Sequence, residues 1–382
     1  MIVNRPFNLL LRFGIALTAC RGPGSGARGR SPDAQAPTAV SPQYDRPAFP
    51  VIDVHTHFDP EATPRIVATL DARNVRYAVN LSGGWPGHGL EEALAQARVT
   101  HGRIVPFCML DWRGVGRPDF VENALATLDR CARLGVRGWK IAKNLGLGVT
   151  DTAGARVAVD DPRLDPLFAR AGSLGMVVLI HSGDPRAFFE PPGPSNERND
   201  ELRAHPGWSF ADPVYPRWSE LLGEFERRVA RHPGTRFIGA HFGNAAEDPD
   251  RVSRLLAQCP NYYIDTAARI PEMGRHPAAQ MRRFFERWED RIVFGTDLGM
   301  GVEPEATMLG STGETPPGPE DITRFWRATF RYFESNDRQF EHPTPIQGRW
   351  RIDGLGLSPR VLRKVYGENA ARLLNLTEFS SP

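Results

Sequence analysis

"VIDVHTHFDP", residues 51–60, is an apolar run that stops at two histidines with one residue between them. Side chains at i and i+2 of a strand share a face. A strand through this stretch therefore sets His55 and His57 side by side where it ends. Buried imidazoles need partners, so two of them aimed at one point raise the question of what they hold.

The next runs repeat the pattern. Strand-like segments follow at "VRYAVNL" (75–81), "RIVPFCML" (103–110), "VRGWKIA" (136–142), "MVVLIH" (176–181), "RFIGAH" (236–241), "YYIDT" (262–266) and "RIVFGTD" (291–297). They are mostly continuous rather than alternating in polarity, as expected of strands covered on both faces. Helical stretches lie between them at 90–100, 119–134, 215–231 and 320–334, and a final helix is predicted over 358–376. There Ser358 caps and Pro359 takes the first helical position. Eight strand–helix units predict an α/β fold, a (β/α)8 TIM barrel over residues 49–377. An open doubly wound sheet is the alternative. It would bring a Gly-rich turn after the first strand, where this chain has "HTHFDP".

Active sites of such barrels lie at the C-terminal ends of the strands. There the chain places His55 and His57 after strand one, His181 after strand five, His241 after strand six and Asp297 after strand eight. A lone histidine in an apolar run is usually a satisfied core residue. Several imidazoles and a carboxylate gathered at one mouth are costly to bury unless a divalent cation satisfies them. Imidazole and carboxylate suit zinc, and also manganese or iron.

This set resembles the amidohydrolase superfamily, and its texture is similar to the amidohydrolase-related (amidohydrolase 2) branch, which includes aminocarboxymuconate-semialdehyde decarboxylase-like metal-dependent enzymes. The stretches that carry the likeness are "VIDVHTHFD", "GVRGWKIAKNLGL", "VVLIHSGDP", "FIGAHFGN", "RIVFGTDL" and "VYGENAARLL". The resemblance implies that His55, His57, His181 and Asp297 hold the metal, with one ion expected. It gives Asp297 a second, catalytic role as proton acceptor from a metal-activated water. It makes His241 an acid/base or substrate-polarising residue in one-metal relatives and a ligand in two-metal ones. Lys140 is a carboxylated bridge in some two-metal relatives; otherwise it is a polar pocket contact, a structural lysine or a cation for an anionic substrate. Lys143, three residues on, is expected on the opposite strand face.

Other residues near the mouth have two readings each. Arg269 clamps a substrate carboxylate or is a surface arginine. Asp265 orients Arg269 or a ligand histidine, and Asp111 has weaker standing. Loops 183–214 and 298–320 are long enough to be functional. Phe188, Phe189, Trp208 and Phe210 either wall a pocket or staple the first loop to the barrel. His88 is expected to face solvent. The tail 342–359 packs on the barrel or on a second subunit, which leaves a homo-oligomer open.

The N-terminus reads separately. "MIVNRPFNLLLRFGIALTAC" (1–20) has the outline of a secretory signal, and "LTAC" resembles a bacterial lipobox with Cys20 as the lipidated residue. Arg12 and Pro6 interrupt it, and a disordered extension or misassigned start is the other reading. Residues 21–48 are rich in Gly, Pro, Ser, Ala and Arg and read as a disordered linker. The expected location is the cell envelope, as a lipoprotein or exported protein, with the cytoplasm as alternative.

The whole chain has 382 residues, 41% of them apolar, and a formal charge of +2. No basic stripe or nucleic-acid motif is present, and no apolar run reaches the roughly 18 residues of a membrane span. Cys20, Cys108, Cys131 and Cys259 match neither a zinc site nor a disulfide framework, and Cys108 reads as a buried hydrophobe.

The expected partner is a small molecule, with carboxylic acids among the candidates. Three functions compete. The first is a hydrolase of a carbon–nitrogen or ester/lactone bond. The second is a non-oxidative decarboxylase of an aromatic or unsaturated acid. The third is a non-catalytic binding module on a lipid anchor, against which the intact ligand set counts.

Overall fold

Val51–Phe58, strand β1, is buried along seven of its eight residues, the exception being His57. It pairs in parallel with β2, Val75–Asn80, which pairs with β3, Ile104–Pro106. A second parallel run joins β4 (Gly138–Ile141), β5 (Val177–Ile180), β6 (Arg236–Gly239), β7 (Tyr262–Asp265) and β8 (Ile292–Val293) in chain order. These assignments come from a computed structural model, which describes residues 44–376 except Thr312 and Glu314, together with Phe379.

Backbone bonds join the two runs into a barrel. Past β3, Cys108 N–H donates to Gly138 O at 3.0 Å and Lys140 N–H donates to Cys108 O at 2.8 Å. Past β8, Val54 N–H donates to Phe294 O at 2.9 Å and Asp297 N–H donates to His55 O at 2.8 Å. The TIM barrel predicted from the repeat is thus the observed fold.

Each crossover carries a helix whose apolar stripe faces the strands. In Phe120–Arg133 the buried residues are Phe120, Ala124, Leu128 and Cys131, a spacing of three and four that keeps one face inward. Each such side chain taken from water contributes about 1.5–3 kcal/mol if large. Inside the barrel, Ile52, Val54, Val79, Val177, Leu179, Ile238 and Val293 form a second apolar cluster with Ala370, Leu373 and Leu374 of the terminal helix.

Two predicted elements differ. The strand expected over 291–297 is paired within the second run only at Ile292–Val293. The chain then bends through Asp297, whose φ is +63°, and re-pairs with β1 as β9, Leu298–Met300. The helix expected over 358–376 starts with Ser358 as predicted, its hydroxyl accepting from Val361 N–H. It is then broken by a π turn at Lys364–Glu368. The wider turn frees Val365 O, which accepts from Phe294 N–H at 2.9 Å, so a barrel strand takes a bond the helix gives up.

Of the linker read over 21–48, residues 44–48 are described, and they lie on the barrel. Asp45 pairs with Arg327 at 2.6 Å and its carbonyl accepts from Arg73. The reading of 1–20, with Cys20, falls outside the described residues. The tail packs on its own barrel: Trp350 Nε1 donates to Pro271 O at 2.9 Å and the Arg275 guanidinium lies 4.7 Å over the Trp350 ring. Among the described residues no helix is long and apolar enough to cross a membrane.

Candidate active site

The strand-one histidines meet the strand-eight aspartate. Asp297 Oδ1 is 3.4 Å from His55 Nε2 and 3.4 Å from His57 Nε2. The left-handed backbone at Asp297 and its bond to His55 O turn the carboxylate into this position. His55 is 1% exposed, Asp297 13% and His57 26%, so the group opens outward along one side.

The far nitrogens are held. His55 Nδ1 is 2.8 Å from Asp265 Oδ2, and His57 Nδ1 is 2.8 Å from Ser82 Oγ. Each contact fixes the ring and leaves Nε2 to face Asp297. Gly295 makes room for this: a Cβ there would meet the His55 Cβ at 3.0 Å and those of Ala267 and Asp265 at 3.3 and 3.5 Å.

His241 enters from a strained turn. His241, Phe242, Gly243 and Asn244 all have positive φ, 55°, 57°, 68° and 64°. One turn of left-handed backbone costs on the order of 1–2 kcal/mol for each non-glycine residue. Burial of Phe242, 4.9 Å from the Phe284 ring, offsets part of this. The turn brings the His241 ring within 4.7 Å of His55 and 4.3 Å of His181. It also carries Asn244 to the end of β5, where its Oδ1 accepts from Ser182 N–H at 2.9 Å.

His55, His57 and Asp297 thus come together as one cluster, and His55, His241 and Asp265 as a second that shares His55. His181 stands beside His241 rather than in the first cluster. Its Nε2 lies 3.3 Å from Asp184 Oδ1, is fully enclosed, and has no aligned hydrogen bond. Lys140, from β4, reaches the centre, with Nζ 3.4 Å from His55 Nε2.

The electrostatics suit a cation. Burial lowers the pKa of His55, aided by Lys140, and drives that of His241 well down, aided by His181 and Arg269. Burial brings His181 to about 4. Three neutral imidazoles are competent ligands near neutral pH. Burial pushes Asp297 up, but His55, His57 and Lys140 outweigh it and hold the carboxyl at about 2. Burial lowers Lys140 to about 8. A mutually close His–His–Asp set of this kind fits a divalent metal ion.

Arg269, which follows β7, is 7% exposed. Its guanidinium donates to Ala268 O at 2.9 Å, and among the described residues it has no carboxylate within ion-pair distance. Next to it, Arg198 of loop 183–214 is fully buried and ion-paired to Glu201 at 2.5 Å and to Glu272.

The remaining expectations separate. Asp265 orients His55 rather than Arg269. Asp111 is taken up by Arg113 at 2.6 Å, on the rim. His88 is exposed, as expected, with its ring 5.0 Å from Trp85. Phe188 and Phe210 are buried in the core, and Trp208 and Phe189 pack against it, so the loop aromatics chiefly staple the loop. Lys143 is a correction: β4 ends at Ile141, strand alternation lapses, and Lys143 Nζ ion-pairs with Asp184 beside His181. No local pattern marks Ser82 as a site residue, and Asp184 is marked in the sequence by its place in "HSGDP" alone.

A family model described as amidohydrolase matches residues 52–376. Among solved structures, a TIM-barrel protein from Bordetella bronchiseptica aligns with a TM-score of 0.51 at 14% identity, over 87% of this chain and 100% of its own. A 2,6-dihydroxybenzoate decarboxylase from Rhizobium gives 0.49 at 14% identity, over 86% and 99%. A 4-oxalomesaconate hydratase from Rhodopseudomonas palustris gives 0.47 at 12% identity, over 86% and 96%. At 14% identity the first of these likenesses speaks to the fold alone. No curated protein matches the chain.

Proposed function

The chain belongs to the amidohydrolase family, a family of metal-dependent enzymes, and from that premise we propose a hydrolase that opens a carbon–nitrogen or ester/lactone bond of a small carboxylic acid. His55, His57, His181 and Asp297 are the proposed ligands of one ion, with zinc the best match to their chemistry. A divalent cation there supplies Lewis acidity and makes water acidic enough to be deprotonated near neutral pH.

The observation that carries the reading is the position of Asp297. Its Oδ1 faces two imidazole nitrogens at 3.4 Å while the carboxyl stays ionised well below neutral pH. It can accept a proton from water and return it to a leaving group. His241, neutral and enclosed, donates Nδ1–H to Ala267 O at 3.0 Å, which leaves Nε2 as an acceptor able to take a proton from water or substrate. Arg269, buried and without a carboxylate partner among the described residues, supplies the clamp for the substrate's acid group.

Decarboxylation is the second reading, and the same cations favour it. Lys140 and Arg269 together can grip a carboxylate that is itself to be lost. Turnover of carboxylate-bearing amides, lactones and aromatic acids in 18O-water and deuterium oxide separates the two. Oxygen-18 at the cleaved carbonyl supports hydrolysis. Released carbon dioxide with deuterium on the carbon it left would replace that reading by decarboxylation.

We also propose export with lipidation at Cys20, which rests on the reading of residues 1–20. Labelling of cells with a fatty-acid probe tests it, and a Cys20→Ser chain that labels equally would reject it.

A further inference from the structure

Asp184 is a buried carboxylate that the proposed chemistry does not use. It is 7% exposed and lies three residues after His181. Its Oδ1 sits 3.3 Å from His181 Nε2, and its Oδ2 is ion-paired with Lys143 Nζ. Its backbone carbonyl accepts from Trp218 Nε1 at 3.1 Å, which fixes the main chain. Lys143 is held in turn: its ammonium lies 5.1 Å from the Trp208 ring centre and 5.5 Å from that of Phe210. Both rings belong to loop 183–214.

The arrangement parallels what Asp265 does for His55, with the two ring nitrogens exchanged. There a buried carboxylate engages one ring nitrogen and leaves the other facing the cluster. At His181 the carboxylate faces Nε2, in ionic range though not aligned as a hydrogen bond. A carboxylate on one imidazole nitrogen selects the tautomer that carries its proton there. It also raises the donor strength of the opposite nitrogen, which at His181 is Nδ1.

We infer that Asp184 is a positioning residue for His181, and that Lys143, gripped by Trp208 and Phe210, holds Asp184 in place, so that loop 183–214 helps to set metal affinity. The inference rests on His181 being a ligand of the proposed ion. Lys143 is then occupied as a counter-ion rather than a substrate contact, and Lys140 remains as the lysine that reaches the cluster.

The test is zinc affinity of the full chain by competition with a chromophoric chelator, with the cobalt(II) absorption spectrum as a second readout. Asp184→Asn should bind zinc about 10- to 100-fold more weakly and shift the cobalt bands. The Asp184→Asn/Lys143→Met double variant leaves neither charge of the buried pair unpaired, so it stays testable if the single variant folds poorly. It should show the same weakening, no greater than the single variant's, because the two residues act as one unit. Wild-type affinity and spectrum in the double variant, while His181→Ala loses zinc, would overturn the inference and leave Asp184–Lys143 as a plain ion pair. If His181→Ala itself binds zinc as wild type does, the reading of His181 as a ligand fails, and this inference fails with it.

Discussion

Asp265 serves two histidines with one carboxylate. Its Oδ2 is 2.8 Å from His55 Nδ1, and its Oδ1 accepts the His241 backbone N–H at 2.8 Å and that of Ala267 at 3.0 Å. The residue is fully buried. One strand end thus orients the deepest imidazole of the cluster and anchors the left-handed turn that presents the next. Asp265→Asn removes the charge behind His55 while nearly keeping shape. Zinc affinity should fall by about 10- to 100-fold, read by chelator competition. An unchanged affinity would assign Asp265 to the turn alone.

Metal content decides the size of the site. Purified protein reconstituted with zinc should hold about one equivalent per chain by atomic emission, lost in His57→Ala and Asp297→Ala. Two equivalents would bring Lys140 and His241 into the ligand set. None would remove the basis of the proposed function.

Lys140 should make the metal-free protein pH-sensitive. Burial holds its pKa at about 8, below the ordinary 10.5. Below pH 8 the ammonium is charged in both folded and unfolded chains, and the cost of burying it is complete. Between about pH 8 and 10.5 the unfolded chain binds more protons, so the folded state gains stability as pH rises, by up to on the order of 3 kcal/mol. Urea unfolding across that window should show the gain in wild type and lose it in Lys140→Met, which should also be the more stable protein near neutrality. Parallel pH profiles for the two proteins would contradict the burial argument.

Arg269 should distinguish acids from their neutral analogues. Loss of a charge-assisted hydrogen bond is worth about 1.5–3 kcal/mol, so Arg269→Met should weaken a carboxylate ligand by roughly 10- to 150-fold while leaving the matching primary amide unaffected. Arg269→Lys should recover only part, because an ammonium lacks the planar fork. Inhibition constants for an acid and amide pair check this. Equal losses for both would make Arg269 a packing residue.

Arg198 is a stability determinant. Its removal leaves Glu201 and Glu272 buried without a counter-ion. Arg198→Ala should therefore cost about 3–5 kcal/mol, seen as a lower urea midpoint. An Arg198→Met/Glu201→Gln/Glu272→Gln variant should recover much of it. A single variant as stable as wild type would show that the network contributes little.

The barrel was legible because its signals are local. Continuous apolar runs mark strands buried on both faces, and the stripe through Phe120, Ala124 and Leu128 marks a covering helix. Ser358 as a cap was legible for the same reason. The break at Lys364–Glu368 was not, because its cause is a backbone bond between Val365 and Phe294, far apart in the chain. Lys143 escapes strand alternation because the strand stops at Ile141, and no local pattern marks that stop. His55, His57, His241 and Asp297 stand at strand ends and could be picked out one by one. Asp184 and Ser82 look like ordinary loop residues until the histidines they touch are in place.

By itself the sequence determined the eightfold strand–helix repeat, the end of the barrel that carries the polar residues, and the residue types gathered there. Periodicity and strand-end position are properties of neighbours along the chain. Tertiary structure alone decided which nitrogens of His55 and His57 face Asp297, that Asp265 and Asp184 stand behind different rings, and that Arg269 has no ion pair among the described residues. Those outcomes depend on residues up to 243 positions apart meeting at hydrogen-bond distance, as Asp53 and Thr296 do below the cluster. Such contacts are set by the closing of the barrel and the twist of its strands, which no local pattern encodes.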